Sequence, residues 1–243
     1  MSNDFVPEDD PMVQSAIEAV QGGDLAGLDS LLNQHPWLAT ARFGDAECHR
    51  TILHVATDWP GKFPNGARVI ERLIKAGADV NAQSLFDANT ETPLHWAASC
   101  DDVEAVDVLL DAGADIEARG SVLGGGTPLG DACGFGNWSA ARRLVERGAV
   151  ARLRDAASLG LLDRVEAAFA VVPAPGPEEV TAALWGACIG GQLTTAAYLT
   201  DRGADVNWVG WQGLTPLDAA EQAGATDVAQ WVWDHGGRRA SGR

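Results

Sequence analysis

Ile70-Glu-Arg-Leu-Ile-Lys-Ala-Gly-Ala-Asp-Val-Asn81 returns as Val106-Asp-Val-Leu-Leu-Asp-Ala-Gly-Ala-Asp-Ile-Glu117, and that recurrence decides the architecture. It returns again as Ala141-Arg-Arg-Leu-Val-Glu-Arg-Gly-Ala149 and as Ala197-Tyr-Leu-Thr-Asp-Arg-Gly-Ala-Asp-Val-Asn207. The Leu-Leu or Leu-Ile pair marks the buried stripe of a helix, and the glycine ends it in the left-handed conformation. Upstream, Thr92-Pro-Leu-His-Trp-Ala-Ala98 is echoed by Thr51-Ile-Leu-His-Val-Ala56, Thr127-Pro-Leu129 and Thr215-Pro-Leu217. Here threonine is a natural N-cap, and proline in the first turn loses only an N–H that would have no helical partner. Each unit is thus two short helices followed by an Ala-Asp-Val-Asn turn.

The glycines Gly77, Gly113 and Gly148 lie 36 and 35 residues apart, and Gly203 and Gly236 lie 33 apart. This period and the Thr-Pro-Leu-His-x-Ala signature resemble the ankyrin repeat. The resemblance implies an all-α solenoid of about seven helix-turn-helix repeats, with β-hairpin fingers and a concave groove. In the clear repeats the turn between the helices precedes the closing glycine by 12 residues, as Asp101 precedes Gly113 and Gly191 precedes Gly203. That frame sets a capping repeat at 12–36 and further repeats at about 51–82, 92–118, 127–151, 180–207 and 215–237. The fifth, 153–172, is degenerate: the frame reaches Val172, where Pro173-Ala-Pro-Gly-Pro177 replaces the finger. A single domain is expected over 12–237, with an acidic tail at 1–11 and a frayed tail at 238–243. Pro60-Gly-Lys-Phe-Pro64 exceeds the ordinary inter-helix turn, and the fingers run long through Phe86 and through Val122-Leu-Gly-Gly-Gly126. Insertions of this kind decorate binding faces.

Against 17 basic residues stand 34 acidic ones, a net charge of −17. That field repels phosphate backbones and anionic lipid, so neither nucleic acid nor a membrane is an expected partner. No apolar run reaches the 18 or more residues of a membrane span, and the acidic N-terminus lacks the form of a signal peptide. Cys48, Cys100, Cys133 and Cys188 are too sparse for a disulfide framework or a zinc ribbon. A cytoplasmic protein with free thiols, no metal and no cofactor is the expectation. No phosphate loop, nucleophile elbow or dinucleotide fingerprint occurs.

In an ankyrin-like stack, two variable positions after the Ala-Ala pair face the groove. They are Asp58 and Trp59, Ser99 and Cys100, Gly134 and Phe135, then Ser158 and Leu159, Ile189 and Gly190, Gln222 and Ala223. Small residues there leave room, and Trp59 and Phe135 can wall a cavity. Trp96, Trp138, Trp185, Trp208 and Trp211 are further candidates for binding an apolar ligand. His54 and His95 occupy the signature position, where an imidazole ordinarily bonds the backbone between repeats. Asp101-Asp102 reads first as a helix cap. Asp58 and Asp131 stand where the repeat prefers small or apolar residues. A desolvated Asp58 beside Trp59 is the candidate proton-transfer group, with His95 or Asp131 as partner.

His54-Val-Ala-Thr-Asp-Trp-Pro-Gly61, Phe135-Gly-Asn-Trp138 and Leu199-Thr-Asp-Arg-Gly-Ala-Asp-Val-Asn-Trp208 are similar to a bacterial subfamily of stand-alone ankyrin proteins. Some ankyrin proteins of natural-product pathways are cofactor-free cyclases. The resemblance therefore implies acid–base cyclisation or dehydration of an apolar, polyketide-like substrate. The alternative is a non-catalytic scaffold for a protein partner, or a module that binds a metabolite unchanged.

Overall fold

The computed structural model describes residues 5–86, 89–120 and 126–240. It contains two compact units, residues 1–149 and 150–243. In the first, helices α1 (Pro11–Gly22) and α2 (Leu25–Gln34) form the opening pair. Next come α3 (Ile52–Val55) with α4 (Gly66–Lys75), α5 (Pro93–Ser99) with α6 (Val103–Asp111), and α7 (Pro128–Phe135) with α8 (Trp138–Glu146). The second unit holds α9 (Leu153–Ser158) with α10 (Leu162–Phe169), α11 (Pro177–Ile189) with α12 (Leu193–Thr200), and α13 (Pro216–Gln222) with α14 (Thr226–Asp234). Within each unit first helices pack on first helices and second on second, as α3, α5 and α7 do, and as α4, α6 and α8 do.

The Ala-Ala pair makes this close stacking possible: Ala97 and Ala98 are wholly buried, as are Leu73, Leu94, Leu109 and Leu144 of the periodic stripes. Each repeat then turns out through its aspartate. Asp79, Asp115 and Asp205 accept the N–H of Asn81, Glu117 and Asn207 at 2.8–3.0 Å. The asparagine of the motif reaches sideways. Asn81 Nδ2 donates to Gly113 O (3.2 Å) while its Oδ1 accepts from Asp115 N (2.8 Å), joining one turn to the next. Gly77 and Gly113 have φ of +103° and +91°, and a Cβ at either would meet only open space, so backbone conformation, not room, selects glycine there.

A three-stranded sheet edges the first unit: β1 (Phe5–Val6) runs parallel to β2 (Arg42–Gly44), which is antiparallel to β3 (His49–Thr51). Residues 5–10, expected to lie in a tail, are therefore engaged. Phe5 pairs with Arg42 in register and packs on the His49 ring at 4.9 Å, and Asp10 caps α1 through Met12 N (2.8 Å). His49 also exchanges backbone hydrogen bonds with Leu85 of the following finger. At the other end, Arg239 forms a bidentate pair with Glu221, and Ala240 N donates to Asp218 (2.9 Å), so residues 239–240 are tied down. The expected long finger at 122–126 lies mostly outside the described residues.

The fifth pair is helical over the stretch where the frame weakens, and the chain then passes through the exposed Val172 into Pro173 without an Asp-Asn turn. Helix α11 starts earlier than the frame indicates. Pro177 sits in its first turn, Glu178 and Glu179 favour the N-terminal dipole, and Gly176 N donates to Glu179 (3.1 Å).

One hydrogen bond recurs between repeats. The Nε2–H of His54 donates to Glu91 O (2.9 Å), the carbonyl just before Thr92 of the next repeat. His95 faces the equivalent Gly126 O at 3.5 Å. In the second unit the indole N–H of Trp185 donates to Leu214 O (3.2 Å), just before Thr215. Trp185, expected to line the groove, is instead 6% exposed and uses its one polar group as the histidines do. Replacing it by phenylalanine keeps the ring and strands the buried Leu214 carbonyl. Chemical denaturation should show Trp185→Phe destabilised by about 1–3 kcal/mol.

On the other nitrogen, His54 Nδ1 accepts from Thr51 N (3.3 Å) and Thr51 Oγ1 (2.9 Å), and His95 Nδ1 does the same with Thr92 at 3.1 and 2.9 Å. This pattern requires neutral rings, and burial lowers both pKa values from 6.5 to about 4. Between pH 6.5 and about 4 the unfolded chain therefore takes up protons that the native chain refuses. Stability is full above pH 6.5 and is lost as pH falls through that window, by on the order of 3 kcal/mol per histidine. Urea unfolding at pH 7.5 and pH 4.5 should show this loss, reduced in His54→Asn.

Candidate functional site

Asp58 and Trp59 follow the single turn of α3, at the positions that Ser99 and Cys100 hold at the end of α5. The extra Pro60–Pro64 residues are pinned on both sides. Lys62 N donates to Asp102 Oδ2 (2.7 Å) and Asn65 Nδ2 to Gly23 O (2.9 Å). Gly61, at φ +73°, lies against Cys100 so closely that an added Cβ would stand 2.6 Å from the Cys100 Cβ. The insertion thus holds Trp59 away from the body of the protein, 80% exposed.

Two clefts adjoin here and share Asp58 and Trp96. One, of about 540 Å³, is walled by Trp59, Trp96 and Phe135 over a floor that includes Ser99 and Cys100, with Glu91 and Asn137 at its edge. These positions come from three successive repeats, and the variable groove pairs Asp58–Trp59 and Ser99–Cys100 meet there with Phe135. The other cleft, about 430 Å³, lies toward the sheet between Phe43, Arg50, Ser84 and Phe86, with Glu8 and His49. Asp58 closes the boundary between them. Its Oδ2 accepts from Arg50 Nη1 (2.6 Å) and its Oδ1 from Trp59 N (2.7 Å), while Arg50 Nη2 pairs with Glu8. Burial works to lower the Arg50 pKa, but Glu8 and Asp58 outweigh it and hold the guanidinium above its ordinary value.

Asp58 is therefore an ion-paired, partly exposed carboxylate, not the isolated desolvated acid expected from sequence. The expected partners do not join it. His95 is fully buried with Nδ1 bound to Thr92, and Asp131 is fully buried in the first turn of α7; neither lines either cleft. Asp102 caps α6 through Ala105 N (3.0 Å), as anticipated, and Asp101 accepts Ala140 N (2.8 Å) at the start of α8. The Cys100 thiol is pushed up to about 11, first by burial and then by Asp58 and Asp102, so it is no nucleophile at neutral pH. Among the described residues no three His, Cys, Asp or Glu side chains converge as a metal would require.

Trp138 lies beneath Gly136 and outside both clefts. Trp208 and Trp211 belong to the second unit, where they gather with Trp185. The Trp185–Trp211 and Trp208–Trp211 centroids are 5.0 and 5.4 Å apart, and Arg154 covers the Trp211 ring at 5.1 Å. Ser158 and Leu159, expected in the groove row, are buried. Sequence reasoning missed Glu8, Arg50 and Glu91. Glu8 and Arg50 are 42 residues apart and carry no motif; only the length of the finger through Phe86 hinted at this side of the site.

The family model for ankyrin repeats (3 copies) matches residues 16–120 and again 64–155, more than half of the chain. The chain belongs to the ankyrin-repeat family. It is 34% identical over 140 residues to the ankyrin repeat and KH domain-containing protein mask-1 of Caenorhabditis elegans. That match takes in 53% of this chain and 5% of the relative, so it speaks for the repeats and not for the relative's other regions. No helix among the described residues is long and apolar enough to cross a membrane.

The ankyrin cleft depends on the seat of the insertion against Cys100. Gly61→Ala combines a left-handed φ with a steric clash and should cost about 1–3 kcal/mol in urea unfolding. It should also open the Cys100 thiol to faster labelling by a maleimide; unchanged stability and labelling would show that the insertion does not rest there.

Proposed function

We propose that this ankyrin protein is an interaction scaffold whose docking site is the cleft of Trp59, Trp96 and Phe135. One observation carries the reading: Trp59 is 80% and Phe135 54% exposed, on repeats whose Leu53, Leu73, Leu94 and Leu129 are buried. Aromatic rings held open in this way on either side of small residues mark a place where a partner removes them from water. Stacked repeats supply such extended surfaces generally. The partner is then a protein segment lying along the cleft, and cysteines outside any disulfide support a cytoplasmic setting.

The reading as a cyclase or dehydratase of an apolar natural product takes second place. The 540 Å³ cleft has the size for such a ligand. Its chemistry, however, would fall to Asp58 and the edge residue Glu91, and both Asp58 oxygens already accept from Arg50 and Trp59. Aromatic walls beside a carboxylate already held by a guanidinium suit binding better than turnover.

Selection from a displayed random peptide library on the wild-type chain tests the scaffold reading. Enriched peptides should bind with Kd values that rise at least about tenfold in Trp59→Ala and in Phe135→Ala, because an aromatic hot spot is worth about 2 kcal/mol or more. Both side chains are largely exposed, so both variants should keep the wild-type unfolding midpoint. Peptides that bind both variants as well as the wild type would place the docking surface elsewhere.

A further inference from the structure

Resting on that reading of the cleft, we infer that a second copy of this chain is its partner, and that the copy's loop Val171-Val-Pro-Ala-Pro-Gly-Pro177 seats between Trp59, Trp96 and Phe135. The two most exposed large apolar side chains among the described residues are Val172, at 97%, and Trp59, at 80%. One stands on a loop and the other walls a cleft, so each offers what the other lacks. Val171 beside Val172 is exposed as well, and no residue from Ala167 to Pro177 is charged. Apolar area held in water on a loop of this kind is area that a partner gains by covering it.

The loop is free to act as a ligand because the fifth repeat lacks the tie found elsewhere. Asn81 joins its turn to the next through Gly113 O and Asp115 N, whereas the chain from Pro173 to Pro177 replaces that Asp-Asn turn. Among the described residues, Val171 to Pro175 make no hydrogen bond. Three prolines fix φ along the segment, so it loses little chain entropy on docking, and their apolar rings suit aromatic walls. The exposure of Val172 shows that the loop is not seated on its own chain.

The cleft favours an uncharged guest. Asp58 at its border is already held by Arg50 and Trp59 N, which leaves the three rings and the small Ser99 and Cys100 to make the contact. Two copies of net charge −17 repel each other, so they can meet closely only through surfaces without charge, and this loop is one. A cleft of about 540 Å³ holds a short segment, so the pairing belongs to the weak, transient class.

Sedimentation velocity of the full chain, from about 10 μM to about 1 mM, covers the range of such pairing. The wild-type mass should rise with concentration. Trp59→Ala and Val172→Asp should each stay monomeric, and neither should disturb the fold, because both side chains stand in solvent. Mixed one to one, the two variants should form a dimer, since the first keeps its loop and the second its cleft. The spare loop and cleft of that pair are both broken, so it grows no further. A synthetic peptide of residues 167–177 should bind Val172→Asp as it binds the wild type, and at least about tenfold more weakly to Trp59→Ala. Raising NaCl from 50 to 500 mM should strengthen self-association by screening the repulsion between copies. A wild type that stays monomeric throughout, or a mixture of variants that forms no dimer, would overturn the inference; library peptides that need Trp59 would still leave the scaffold reading standing. A monomeric wild type together with a library that yields no Trp59-dependent peptide would overturn both.

Discussion

The structure depends on how each first helix opens and what its opening residue hands to the next repeat. A helix leaves its first N–H groups without partners, and a stack of short helices multiplies that deficit. At α3, α5 and α13 the threonine N-cap and the side chain three residues on close the start together, whereas at α7, with Gly130 in that place, Thr127 acts alone. His54 and His95 accept from Thr51 and Thr92 in the first unit. In the second, Asp218 accepts from Thr215 N (3.0 Å) and Thr215 Oγ1 (2.9 Å), and Asp155 accepts from Arg152 N (3.3 Å). Only histidine among these can also donate onward, through Nε2, to the carbonyl ahead of the next threonine. Where histidine is missing, Trp185 supplies that donor. At these three places the constraint is on hydrogen-bond function: an N–H reaches the next finger's carbonyl, and histidine or tryptophan supplies it.

That lateral bond explains why a cleft forms where it does. With His54 tied to Glu91 O and Asn81 tied to Gly113 and Asp115, neighbouring repeats are held in one register. Equivalent positions then line up, and the residues following each Ala-Ala pair come together although 41 residues separate Trp59 from Cys100 in the chain. The same bond places Glu91 at the edge of the cleft, since its carbonyl is the acceptor. Its imidazole donor is in turn covered by Trp96, whose ring stands edge-on to His54 at 5.1 Å. The residue that walls the aromatic cleft therefore also covers the bond that aligns it.

How much of this could be read from the sequence follows from the range of each interaction. Helix pairs, glycine terminators and groove positions repeat with the period, so local chemistry displays them many times over. The pairing of Phe5 with Arg42 and the Glu8–Arg50–Asp58 triad occur once each and join distant segments, and no pattern announces them. This is why Asp58 looked like a free acid: its neighbours in sequence are Thr57 and Trp59, and its counter-ion arrives from a strand eight residues upstream. Trp185 misled for a related reason. A tryptophan at a signature position suggests a surface for ligand, until the buried carbonyl it serves is seen.

Charge ties these threads together. The chain holds 15 arginines and only two lysines, a choice that fits bases used as structural forks more than as solvated charges. Between α6 and α8, Arg143 Nε and Arg147 Nη1 both reach Asp107 Oδ1 at 2.7 Å, and Arg147 Nη2 reaches Asp111 (2.6 Å). At these partly exposed sites each pair adds little stability of its own, and the effect on the field is larger. Positive charge is drawn onto the second helices and the sheet edge, where it is matched by acids. No base lines the aromatic cleft itself, and the Arg50 that meets Asp58 from the neighbouring cleft is shared with Glu8. An acidic surface is a common consequence of an acidic composition. Beside Trp59 and Phe135 the carboxylate of Asp58 is instead held by Arg50, so the exposed rings there owe their place to the insertion and the repeat register and not to the field.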